Sequence, residues 1–149
     1  MAFEERNAWS ALIACLISFG IFGRPIWVGT AQGRYADTNG LSIWAWDVIW
    51  LIGGGIAVGI AVVIAFQIAF AILTRTPKPQ FISDERDLMI NRRGALVTLV
   101  VISAGFILAV GLLAWGMSAL AALNTILAGM AAGAIAAEIY RVAIYRFGF

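Results

Sequence analysis

Histidine is absent from this chain, and cysteine and lysine occur once each, as Cys15 and Lys78. Without imidazole there is no histidine-held haem or chlorophyll and none of the usual zinc or di-iron sites. Catalytic dyads built on imidazole are excluded as well. A single cysteine leaves no internal disulfide, no Cys-x-x-Cys redox pair and no thiolate cluster. Lys78 falls in a loop, which excludes a retinal-type Schiff base inside a membrane. Charge is scarce: 12% of the 149 residues carry it, against about a quarter in an ordinary soluble domain. The net charge of +2 is too small to steer a polyanion, so no nucleic-acid partner is expected.

What remains is apolar. Hydrophobic residues make up 62% of the chain, and the mean hydropathy is +0.95. Four apolar runs are long enough to cross a bilayer, which takes about 20 residues. They cover about 9–28, 47–73, 95–115 and 120–144. Backbone groups in lipid must bond within their own segment, so all four read as helices. The expected fold is all-α: a single transmembrane domain over 1–149, an integral membrane four-helix bundle. The second run is longer than a core of about 30 Å needs, so it tilts or projects. The first is read as a mature helix rather than a cleaved leader. Its start, Glu4-Glu5-Arg6, is not basic, and no small-x-small site follows before Arg24-Pro25.

Loop charges orient the bundle. Arg6, the central Arg75, Lys78, Arg86, Arg92 and Arg93, and the C-terminal Arg141 and Arg146 share one side. The other side holds Arg24 and Arg34. The positive-inside rule puts both termini and the 74–94 loop in the cytoplasm of a multi-pass protein. The same bias argues against dual topology. Trp27, Trp44, Trp46, Trp50 and Trp115 fall near the outer interface, and Trp9, Tyr140, Tyr145, Phe147 and Phe149 near the inner one. Such belts anchor helices at the headgroups; a ligand platform at Trp44-Ala45-Trp46 is the alternative.

In the inner loop, Pro77 and Pro79 stop the second helix. Ser83 reads as an N-cap, and Asp84, Glu85 and Asp87 complement the dipole of the helix that follows. The acidic cluster also invites a metal reading. However, Glu85 points away from the face shared by Asp84 and Asp87, and no glycine loop wraps an ion. Asp84, Glu85, Arg86 and Asp87 are instead expected as a cytoplasmic contact surface, partnered by Arg92 or Arg93. Glu4-Glu5-Arg6-Asn7 before the first hairpin matches Asp84-Glu85-Arg86-Asp87 before the second, a faint sign of a parallel duplication.

Four short spans, this Asp-Glu-Arg-Asp element and the ending Tyr145-Arg146-Phe147-Gly148-Phe149 resemble small, uncharacterised bacterial four-helix membrane proteins. The resemblance implies a bacterial inner (cytoplasmic) membrane location and no known catalysis. It carries over no site residues.

Ionisable and polar groups within spans are candidate sites. Glu138 and Gln67 each lie about six residues from an inner helix end, with Cys15 and Thr98 near the same level. Asn124 shares a stripe of α-helical spacing with Ala131, Glu138 and Tyr145. Glu138 reads either as a proton or cation site or as a structural partner of Arg141, Arg92 or Arg93. On the outer face Asp47 pairs with Arg24 or caps the second helix. Gly55-x-x-x-Gly59 and the stripe of Gly129 and Gly133 allow close packing. They are expected to bring the second and fourth helices together, within one chain or across a dimer. The leading functional expectation is a non-enzymatic structural or accessory subunit, without cofactor or metal, held in the lipid bilayer. It would pack with itself as a homo-oligomer or with other membrane subunits. The alternative is a small oligomeric transporter or channel for protons or small cations using Glu138.

Overall fold

The computed structural model describes residues 3–74 and 84–148. Its elements are α1 (Phe3–Ser18), a π-helical turn (Phe19–Gly23), α2 (Arg24–Ala31), α3 (Gly40–Thr74), α4 (Glu85–Ala114) and α5 (Ala119–Phe147). The protein is all-helical among the described residues, with four helices long and apolar enough to cross a membrane. The first of these is the continuous run Glu4–Ala31. The helix stops assigned to Pro77 and Pro79, the Ser83 cap and the charges of Arg75 and Lys78 lie outside the described residues, as does Phe149.

Helix ends depart from the sequence reading in three places. Arg24-Pro25 does not end the first helix, which runs on to Ala31. A proline ring inside a helix clashes with the carbonyl four residues earlier. The wider π-turn just before Pro25 relieves that clash, so the helix continues. Asp47 does not cap α3, because the helix starts at Gly40. The amide of Gly40 donates to the Asp37 carbonyl at 2.8 Å, and Asn39 then accepts from Ser42 and Ile43. α3 is about 52 Å long at 1.5 Å per residue. Finally, α4 is one helix from Glu85, and Asp84 is its N-cap. The Asp84 side chain accepts from the Glu85 amide at 2.7 Å. Asp87 reaches back to the Asp84 amide at 3.1 Å. This reciprocal capping box fixes the start.

Two hairpins make the bundle. In the first, α1 packs on α3; in the second, α4 packs on α5; and α1 joins the hairpins along α5. The closest packing is between α4 and α5, not between the second and fourth spans. A Cβ on Gly105 would stand 2.9 Å from the Gly129 Cα, so the two backbones touch. Gly133 likewise lies against the Thr98 carbonyl and Ile102 of α4. The glycines of α5 thus serve the neighbouring helix in the hairpin. On α3, Gly54 lies under the ring of Phe22 and Gly55 beside Ser18, while Gly59 faces open space. α3 meets α5 through large side chains near the connecting loops. There Ile26, Tyr35, Trp44 and Leu51 form a core on which Leu120, Leu123 and Leu127 pack.

Candidate functional site

The polar side chains gather in three places. The first is the end of the bundle that carries Phe3 and Gly148. Gln67 of α3 donates to Asn7 of α1 at 3.0 Å. Asn91 of α4 donates to Glu4 at 3.4 Å. Arg146 of α5 pairs with Glu5 at 3.6 Å and stands over the Trp9 ring. Tyr145 of α5 donates to Asp87 of α4 at 2.8 Å. Arg6 lies over the Phe70 ring, 4.2 Å from its centre. The first turn of α1 therefore reaches all three long helices and acts as a collar. Asp84, Glu85 and Arg86 are exposed, but Asp87 turns inward to Tyr145. Arg92 and Arg93 are exposed and do not bond to this tetrad. No group of three or more acidic or cysteine side chains converges to hold a metal among the described residues.

The second place is the middle of α5. Glu138 forms an ion pair with Arg141, one turn on along the same helix. The stem of Arg141 crosses the α4 backbone at Gly94, where any Cβ would run into its Nε at 2.6 Å. Glu138 Oε2 and Arg141 Nε are shielded and lack a hydrogen-bond partner. Cys15 stands near enough to Glu138 to interact electrostatically. Gln67 is not at this level. Its partner Asn7 precedes Cys15 by about two turns, roughly 12 Å of helix rise. The depth inferred from the end of α3 fails because α3 runs on past the start of α1.

At the third place, near the loops, Asn124 is buried and fully engaged. Trp44 donates to its Oδ1 at 2.8 Å, and its Nδ2 donates to Thr30 at 3.1 Å. The Thr30 hydroxyl in turn donates to the Ile26 carbonyl at 2.8 Å. Asp47 pairs with Arg34 at 3.3 Å, not with Arg24. It also accepts from Tyr35 at 2.7 Å. The glycine at 29 makes room for Tyr35, since a Cβ there would lie 2.8 Å from its hydroxyl. Burial, followed by the hydrogen bond to Asp47 and its charge, pushes the Tyr35 phenol up to about 12. Glu138, Gln67 and Asn124 thus occupy three separate places, and Gln67 does not share the level of Glu138.

Asn7, Asn91, Thr30 and Tyr35 escaped the sequence reading. Asn7 alone had a signal there, its match to Asp87 in the repeated tetrad. The structure extends that match. Asn7 of α1 bonds Gln67 of its hairpin partner, and Asp87 of α4 bonds Tyr145 of its own. Further along, Ser18 lies on Gly55, and Thr98 lies on Gly133. Ser18 and Thr98 are as far apart in the chain as Asn7 and Asp87; Gly55 and Gly133 are as far apart as Gln67 and Tyr145. Two cross-helix contacts therefore recur in register, as a duplicated hairpin requires.

Between α1, α3 and α5 a groove of about 500 Å³ opens sideways. Its walls include Ala14, Cys15, Ile52, Ile56, Met130 and Ala134, and they present almost no polar surface. No family model matches the chain, and no curated protein or solved structure is significantly similar to it.

Proposed function

We propose that the chain is a non-enzymatic, multi-pass protein of a bacterial inner membrane, with both termini cytoplasmic, serving as a structural or accessory subunit that packs with itself or a larger membrane complex. One observation carries this reading: each of the three polar side chains expected inside the membrane is held by another side chain of the bundle. Glu138 is held by Arg141, Asn124 by Trp44 and Thr30, and Gln67 by Asn7. Polar contacts between helices hold a bundle together in lipid. Among the described residues these three form no shared polar cluster. The surface of α3 and α4, in contrast, is lined by large exposed side chains such as Ile60, Ile68, Leu99 and Val100, which suit lipid or a neighbouring helix. The test is the mass and composition of the intact assembly after mild extraction from the native membrane. A homo-oligomer or a stoichiometric complex with other subunits agrees with the proposal; a lone monomer refutes it.

A second reading rests on the unpartnered Oε2 of Glu138. It makes the protein a small oligomeric carrier of protons or small cations. Glu138→Gln would then abolish flux into proteoliposomes while leaving assembly intact. Equal flux from the variant and the parent rejects it.

A further inference from the structure

Among the described residues the duplicated hairpin leaves one of its four helix joints unmade. α1 and α5 meet through Glu5 and Trp9 against Arg146, and farther along Cys15 lies within electrostatic reach of Glu138. The repeat places α4 where α1 stands and α3 where α5 stands. It carries Trp9 to Met89, Cys15 to Ala95, Glu138 to Ile60 and Arg146 to Ile68. The corresponding joint, α3 on α4, is not made within the chain, where these helices share no packed interface. Its residues stand open instead: Met89 is 56% exposed, Ile60 58% and Ile68 55%. Ala95 is exposed between them. Where the α1–α5 joint uses an ion pair and an indole, the unmade one sets Met89 against Ile68, with Glu85, the counterpart of Glu5, at its edge.

We infer that α3 of one copy docks on α4 of a second copy, repeating between chains the joint that α1 and α5 make within one. This rests on the proposal that the protein self-associates in a membrane. The occupant follows from continuity with the existing interface: the surface that α3 presents is the one α5 uses to receive α1, and α4 is the repeat's second α1. The helices then follow in the order α3, α1, α5, α4, with the α3 of the next copy after α4. Two copies supply two identical α3–α4 joints, which closes the ring under twofold symmetry and leaves no free end to propagate. Apolar side chains at these joints pack by shape, as intersubunit helices do in lipid. Arg92, on the same side of α4, lies close to the helix start, from where its head reaches the headgroup region.

The register predicts which residues meet. Since Arg146 stands over the Trp9 ring, Ile68 of one copy stands beside Met89 of the other. In a Cys15→Ala background, Ile68→Cys and Met89→Cys are placed in separate chains with different tags, expressed together, and oxidised in the membrane with copper phenanthroline. Both sites are exposed, so neither substitution disturbs the packed hairpins. The expected result is a disulfide dimer carrying both tags, absent when either chain is expressed alone. A dimer from Ile68→Cys alone would mean that α3 meets α3, and would overturn the inference. So would a chain bearing both cysteines that closes on itself without dimerising. The mass of the unmodified assembly separates the two levels of failure. A homodimer without the mixed crosslink sinks this inference alone, whereas a monomer sinks the proposed function with it.

Discussion

Gly129→Ala tests the tightest contact in the bundle. The methyl would enter 3.0 Å from the Cα of Gly105. Carbon atoms pack best at about 3.5–4.0 Å. α4 and α5 must therefore separate by about 0.5–1 Å at that level. Overpacking of this kind costs about 1–3 kcal/mol. Replacing a mid-helix glycine by alanine returns about 0.5–1 kcal/mol of backbone preference. Taking central values, the net expectation is a loss of about 1 kcal/mol, read as a lower midpoint in reversible unfolding by sodium dodecyl sulfate from mixed micelles. Gly111→Ala on α4 is the control, because its Cβ would meet nothing within 4 Å. It keeps the backbone gain without the clash, so the two variants move in opposite directions. The double variant Gly105→Ala, Gly129→Ala loses less than the sum of its singles, because the separation forced by one methyl admits the other. A Gly129→Ala protein as stable as the parent would refute backbone contact between α4 and α5.

Asn124→Leu leaves the Trp44 indole N–H buried without an acceptor and is expected to destabilise by about 1–2 kcal/mol in the same assay. Trp44→Phe in the Asn124→Leu background then adds far less than it does alone. Tyr35 is expected to ionise at about pH 12, seen as an absorbance step at 295 nm that Tyr35→Phe removes. Because the folded state raises this pKa, the stabilisation is complete below about pH 10, the free phenol value, and is lost as pH rises through 12. Asp47→Asn lowers the step only part of the way, since burial is the larger cause. Asp87→Ala removes both the capping box and the acceptor of Tyr145, and should lower stability by about 1–2 kcal/mol. Glu85→Ala, at an exposed position, serves as its control.

The four apolar runs announced four helices because no other structure satisfies so long an apolar backbone in lipid. Their ends were harder to read. Asp47 is the first acidic residue before the second run and invites a helix start there, yet Trp44 lies inside the bundle and draws two further turns into α3. The Arg24-Pro25 pair looks like a stop because the π-turn that accommodates it has no sequence signature of its own.

Partner choice among the polar residues was less legible still, for a geometric reason. A helix reveals which face a residue occupies, but the level at which two helices meet depends on how far each overshoots the other. Gln67 and Glu138 stand equally far from the ends of their runs, yet α3 extends past α1 and carries Gln67 to Asn7 instead. Glu138 escapes this difficulty because its partner lies one turn away on the same helix, so Arg141 was among the expected partners. The tetrads show how a weak pattern acquires meaning. Four matching residues say little alone. Once the fourth residue of each tetrad bonds the far helix of its own hairpin, and once Ser18 on Gly55 repeats as Thr98 on Gly133, the match describes a unit of structure. Divergence between the copies then acquires a physical reading. The second hairpin brought glycines into contact at Gly105 and Gly129 and closed tightly. The first kept Leu51 against Ile26 in a bulkier core and left α3 standing away from α5 farther along. That difference opens the groove, and it leaves the isoleucines of α3 uncovered by the rest of the chain.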